Sequence, residues 1–474
     1  MTPADKLRSA IEAWRRDEAR ERVQRWRGAK DAATPSDVAA RHARLVSSGA
    51  DELAQETEAM LDAREMGALR AHLARARAEA ELAMARETLR AVTHERVSVN
   101  GDAWALGAVA RELVNERDPR RRAVLAEPVV AAARRIVPLL RDARVSANEA
   151  AAVELERATE RPDAGPDRDA LAARAAALLD ASEDAVGAAL EWLRRTSKMP
   201  IERWHDLLAA LRAPWLDALV PARDRWRRIS TSALAELGLE RELGARVRVE
   251  RTHGGIVPRV RIAVIDAPGD IRIAPSKLEQ GVASELAAAI GVGRALAMSL
   301  VSSALPVEVK RPIAATVPRA MGGLLGMMLA DRAFIAKQRR LSGRDGEGIE
   351  RLAALLVVLD VRLAAAALRA RSAGSAGELL ARALGGLEPP DPLVDLVAIT
   401  PGALGGRLRA HDGALAVYRT MRETLDEDWW RNPRAAEPLR AAFARGATLS
   451  IEAFCEELGA HQAAAVAQLR DIWR

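Results

Sequence analysis

The chain has 474 residues, 49% apolar and 29% charged, which excludes a disordered composition and leaves room for about three domain-sized units. Lys and Arg total 72 against 66 Asp and Glu, a net charge of only +6. The charges alternate in sign without a basic face interleaved with aromatics, so nucleic acid is not an expected partner. A single cysteine, Cys455, excludes an internal disulfide and any cysteine-built zinc or iron–sulfur site.

The N-terminus is a charged amphipathic segment without the apolar core of a signal peptide. The apolar stretch 352–368 is interrupted by Asp360 and Arg362, and no run reaches the ~18 uncharged apolar residues of a membrane span. A cytoplasmic protein with no membrane partner is expected.

In chain order, Thr2-Pro3-x-Asp5 and Thr34-Pro35-x-Asp37 predict capped helix starts, and Ser146-x-x-Glu149 and Ser276-x-x-Glu279 predict further capping boxes. Residues 50–95 carry Leu53, Met60, Leu61, Leu69, Leu73 and Leu82 near helical spacing. Helical patches continue over 102–144, broken at Asp118-Pro119. The polar stretch 160–169, with two prolines and a glycine, reads as a linker between an N-terminal helical region, 1–160, and a C-terminal region, 161–474. Helices are predicted at 170–195, 200–212 and 214–238.

Residues 246–274 depart from this pattern. Segments 246–251, 257–265 and 271–274 alternate apolar and polar residues around Gly254-Gly255 and Pro268-Gly269-Asp270, predicting a three-stranded antiparallel meander and the chain's only sheet. A helix of about 25 residues follows from Ser276. Further helix is predicted over 315–340, a glycine-rich break at 343–348, an apolar helix at 349–371 and a proline-rich loop at 386–402. Helices then run to the C-terminus past a turn at Asn432-Pro433 and a capping Ser450.

The common catalytic signatures are absent. There is no P-loop, GxSxG elbow or CxxC, and no two of the seven histidines, His42, His72, His94, His205, His253, His411 and His461, stand at i, i+4. Trp429-Trp430, after an acidic turn, read as core anchors or, less simply, as a binding surface. Arg246, Arg248, Arg251, Arg259 and Arg261 along the meander would either favour an acidic peptide added to the strand edge or make a charged, aggregation-resistant edge.

Three stretches nevertheless share a pattern with a known family. They are Pro268-Gly269-Asp270 leading to Val282-Ala283-Ser284-Glu285-Leu286-Ala287-Ala288; Ala315-Thr316-Val317-Pro318-Arg319-Ala320-Met321 running to Phe334; and Leu408-Arg409-Ala410 followed by Glu427–Ala435, Gly446 and Leu449-Ser450. The C-terminal half, 246–460, thereby resembles the zinc metallopeptidases of the thimet oligopeptidase and oligoendopeptidase F type. The resemblance implies a mainly α fold, a large helical peptidase-like architecture with a small antiparallel β-meander before the former active-site helix, and two helical lobes around a cleft.

That family carries HExxH, two zinc-binding histidines and a glutamate that activates the metal-bound water. The resemblance puts Ser284 and Ala288 in the histidine positions and leaves Glu285 as a vestige of the catalytic acid. The third ligand, a glutamate on the following helix, corresponds to Arg319. The oxyanion-stabilising tyrosine would fall near Ala403 and Arg407, whereas the only tyrosine is Tyr418. A catalytic zinc needs three protein ligands, and these positions offer none. The implied protein is a pseudopeptidase with no metal and no cofactor, which binds a peptide or protein. An active oligopeptidase with non-standard ligands, or a helical scaffold without an inherited site, are the alternatives. Glu285 and Arg319 are expected to pair across the vacated metal site.

Overall fold

Thr2 and Asp5 exchange the two bonds of a capping box, Asp5 N–H to Thr2 Oγ1 at 3.2 Å and Thr2 N–H to Asp5 Oδ2 at 3.0 Å, and so start helix α1 (Pro3–Arg27). Thr34 and Asp37 repeat the device at 3.2 and 2.8 Å to start α2 (Pro35–Arg41). The computed structural model describes residues 1–29, 31–159, 168–220, 225–250, 260–275, 281–311, 315–373, 375–399 and 404–473.

Helix α1 buries Leu7, Ile11, Trp14, Val23 and Trp26, one apolar stripe at helical spacing. After Ser48–Glu58 comes α3 (Ala63–His94), which packs along α4 (Pro119–Thr159). Between them lies a hairpin, β1 (Arg96–Val99) and β2 (Asp102–Ala105), paired Val99 to Asp102 through Asn100-Gly101. Both turn residues have positive φ, 53° and 91°, the requirement that Asn-Gly meets in a two-residue hairpin. The meander is therefore not the only sheet, and 102–105 is strand. Ser146 and Glu149 lie inside α4 and cap nothing, because α4 runs unbroken from Pro119 through Pro128 and Pro138. The 160–167 part of the linker lies outside the described residues. The predicted helix at 170–195 is two, Arg168–Ala181 and Glu183–Ser197.

The second sheet differs from an antiparallel meander. Its strands β3 (Val247–Val249), β4 (Val260–Asp266) and β5 (Asp270–Pro275) lie in the order β3-β5-β4. The β4–β5 hairpin is antiparallel, but β3 pairs parallel to β5. Alternation identifies strands; it does not fix which neighbour each chooses, and here β5 takes the centre. One face of β4, Ala263 and Ile265, packs on Ala19, Val23 and Trp26 of α1. The other, Val260, Ile262 and Val264, faces the main core. Arg251, Gly254-Gly255 and Arg259 lie outside the described residues.

Helix α5 (Val282–Ser299) is capped by Gly281, φ +96°, five residues after the expected cap; Ser276 and Glu279 lie outside the described residues. It is the one helix among the described residues long and apolar enough to cross a membrane, yet 72% of it is buried inside the protein. The predicted helix at 315–340 is two, α6 (Thr316–Met328) and α7 (Arg332–Arg339), divided where Asp331 Oδ1 accepts from Ala333 N–H at 2.7 Å and caps α7.

Residues 343–348 are the first turns of α8 (Gly343–Ala373) and not a break. The apolar run from Ile349 packs into the core and carries its glycine-rich start with it. Within 386–402, Asp391–Ile399 is helical, and Pro401 lies outside the described residues. Helix α9 (Leu404–Leu425), the turn at Asn432 and the Ser450 cap, 3.1 Å to Ala453 N–H, complete the core. Trp429 and Trp430, 0% and 1% exposed, are core residues, stacked edge-on against Tyr418 and Phe334.

Candidate functional site

Two helices without bulky side chains on their facing surfaces can approach until backbone meets backbone. Helices α5 and α6 do so in antiparallel register. A Cβ added to Gly293 would lie 2.5 Å from Met321 O, one on Gly322 would lie 2.6 Å from Ile290 O and 2.8 Å from Arg294 Cγ, and one on Gly326 would lie 3.2 Å from Leu286 Cδ1. This register sets Gly322 against Ile290 and Arg294, and Arg319, one turn before it, beside Arg294 and Met298, which line the same chamber. Glu285 and Ser284, nine and ten residues before Arg294, are more than ~13 Å away along α5.

The expected Glu285–Arg319 pair is accordingly not formed. Glu285 is 4% exposed and forms an ion pair with Arg339, at the C-terminal end of α7. Ser284 Oγ is buried without a partner among the described residues, and Ala288 is core.

Arg319 opens instead into a chamber of about 180 Å³ between α1, α3, β4, α5 and α6. Arg15 and Arg22 come from α1, Arg75 from α3, Arg294 from α5 and Arg319 from α6; Arg311 approaches from the segment before α6. One acid, Glu18, faces these six guanidinium groups. Burial, then the Arg75 charge, lowers Arg15 to about 9. Burial, then Arg319, lowers Arg294 to about 10. Arg319 is lowered by burial and by Arg407 and Arg75. Burial would raise Glu18, but Arg22, Arg15 and Arg75 outweigh it and hold the carboxyl at about 2.

The acceptors are few. Arg15 reaches Glu18 at 3.5 Å, Arg22 contacts the same carboxylate, and Arg311 donates to Ile265 O on β4. Arg294 Nε and Arg319 Nη1 are buried and find no acceptor among the described residues.

The third predicted region does adjoin this chamber. A Cβ at Gly406 would lie 3.1 Å from Thr316 Oγ1 and 3.9 Å from Arg319 Nη1. Arg407 pairs with Asp360, which also receives His411 Nε2 at 2.9 Å. Ala403 lies outside the described residues. Tyr418 is elsewhere: it is 2% exposed and donates to Asp331 Oδ2. Of the strand arginines, Arg246 donates to Ser299 O, Arg248 is exposed on β3, and Arg261 lines a second cavity of about 780 Å³. That cavity shares Glu18, Arg22 and Arg75 with the chamber.

A divalent metal fits poorly here. Guanidinium has no lone pair to give, and among the described residues no three His, Cys, Asp or Glu side chains converge. Sequence reasoning found Arg319 but missed Arg294, Arg15 and Arg75, which become neighbours only through the helix packing. The available signal was Gly291-Val292-Gly293-Arg294, small residues on a helix leading to an unpaired cation.

No family model matches the sequence, and no curated protein is similar to it. The fold is nevertheless shared with solved metallopeptidases. An oligoendopeptidase F superposes with a TM-score of 0.61 at 13% identity, covering 92% of this chain and 82% of its own. An M32 carboxypeptidase from Deinococcus radiodurans gives 0.54 at 16%, covering 99% and 98%. Metallocarboxypeptidase 1 of Trypanosoma cruzi gives 0.57 at 11%, covering 100% and 99%. The chain has the large helical fold of these peptidases, over nearly its full length.

Proposed function

We propose that this chain is a metallopeptidase-fold protein that acts by binding a peptide or protein, without metal-dependent hydrolysis. One observation carries the reading: the α5 residue that shares a buried chamber with Arg319 of α6 is another cation, Arg294. In an HExxH helix the two ligand histidines are i, i+4 and the third ligand approaches from the next helix. With Arg294 taken as the second histidine position, that motif falls at Ile290, Gly291 and Arg294, six residues beyond the register suggested by sequence.

Neither register supplies a ligand set. Ser284, Glu285 and Ala288 give one carboxylate, already paired with Arg339. Ile290, Gly291, Arg294 and Arg319 give two cations. A side chain at 291 has no room either, since its Cβ would lie 2.4 Å from Val260 Cγ1. The place of a dication and its activating carboxylate is taken by positive charge and a valine.

A peptide ligand is supported by the larger cavity, with apolar Trp14, Val38 and Leu45 beside Arg25, Arg90 and Arg261. The test is hydrolysis of a quenched-fluorescent peptide library in the presence of zinc, alongside binding of the same peptides by anisotropy. Binding with no hydrolysis is expected. Turnover that a metal chelator abolishes would refute the reading.

A further inference from the structure

Two cations facing each other inside a protein are costly unless something neutralises them, because each loses hydration and gains a like-charged neighbour. Arg294 and Arg319 stand in that relation. Neither has a carboxylate partner among the described residues, and Nε of one and Nη1 of the other are buried without an acceptor. The only acid lining the chamber among the described residues, Glu18, is engaged by Arg15 and Arg22. The donors of this chamber outnumber its acceptors, and its charge is strongly positive.

We infer that the arginine chamber is a binding site for a phosphate group, either inorganic phosphate or the phosphoryl end of a small organic phosphate. The guanidinium fork matches the oxygens of a tetrahedral oxyanion and donates charge-assisted bonds to them. A phosphate near neutral pH brings about two negative charges and several acceptor oxygens, enough to serve Arg294 and Arg319 together; a single carboxylate leaves part of that charge uncompensated. A volume of about 180 Å³ admits a compact anion and excludes a folded peptide segment. The shared wall of Glu18, Arg22 and Arg75 gives an organic tail a path into the larger cavity. This inference is independent of whether the protein hydrolyses peptides, so its test and the hydrolysis assay fail separately.

The experiment is calorimetric titration of the full chain with inorganic phosphate and, separately, ribose 5-phosphate, in chloride buffer of constant ionic strength. Saturable one-to-one binding of at least one probe is expected, and tighter binding of the second assigns the site to organic phosphates. R294Q and R319Q should each weaken binding by about tenfold or more, the worth of one hydrogen bond to a charged group. E18Q should tighten it, and R195Q, on a side chain 70% exposed, should leave it unchanged. Thermal melting of each variant without ligand checks folding; R319K, which keeps the charge but loses the fork, replaces R319Q if that variant does not fold. Absence of saturable binding by both probes, or equal binding by parent, R294Q and R319Q, overturns the inference.

Discussion

At the scale of single residues, Glu285 is one half of a buried ion pair. Its carboxylate and the Arg339 guanidinium are both at most 5% exposed, so removing one leaves the other charged and buried. Glu285→Ala and Arg339→Ala are each expected to destabilise by about 3–5 kcal/mol, while a double replacement by apolar residues recovers most of the loss. Denaturant melts of the four proteins check this. Additive losses would show that the two side chains act independently.

His72 gives a pH signature. It is 1% exposed, and burial, then Arg15 and Arg75, lower its pKa from 6.5 to about 3. Above pH 6.5 it is neutral in both states. Between 6.5 and about 3 only the unfolded chain takes up its proton, so stability falls as pH drops, by at most ~1.4 kcal/mol per unit. His205, lowered chiefly by burial, adds in the same direction. Glu18 joins only below its ordinary value of 4.5 and down to about 2. His72→Leu should therefore reduce the slope from pH 6.5 down to about 3, most cleanly between 6.5 and 4.5 where Glu18 does not yet contribute, as read from melting temperature against pH. An unchanged slope would mean that His72 is not held neutral.

At the scale of elements, the close approach of α5 and α6 decides which residues meet. Gly293→Ala pushes a methyl to within 2.5 Å of the Met321 carbonyl oxygen, and a backbone atom cannot rotate away. A loss of about 1–3 kcal/mol is expected from this overpacking. Gly187→Ala, in an exposed helical position with nothing within 4 Å of the new Cβ, should gain about 0.5–1 kcal/mol from helix propensity. Equal effects at the two sites, measured by chemical denaturation, would contradict the packing described.

The same elements mark what sequence could and could not tell. Thr2, Thr34 and Ser450 announce their helices because capping is local chemistry. Asn100-Gly101 was equally local, and its hairpin was readable on turn chemistry alone. Strand order was not, since β3 chooses β5 over β4 through contacts far apart in the chain. Helix 343–373 hides its start behind glycines whose tolerance depends on what packs on the far side.

At the scale of the molecule, the fold followed from the order of strands, motif helix and second helix, and the likeness to oligoendopeptidase F and to the two carboxypeptidases bears that out. The site was legible only in part. Arg319 stood out as a cation in an implied ligand position, but its counterpart on α5 depends on register, and in the alanine-rich run 286–297 only Gly291-Val292-Gly293-Arg294 could have anchored one. Glu285, the most conspicuous acid, drew attention away from Arg294; its partner Arg339 comes from a helix whose placement no local pattern reveals.

The proposed binding function and the proposed phosphate site both require that the chamber between α5 and α6 hold no metal. The measurement that tests this most directly is zinc per chain by elemental analysis, on untagged protein offered zinc and then desalted. A stoichiometry near zero is expected, because the guanidinium groups of Arg294 and Arg319 have no lone pair to give a metal and no three His, Cys, Asp or Glu side chains converge among the described residues. One tightly held zinc per chain would contradict it, and would mean that other side chains converge on a metal in solution.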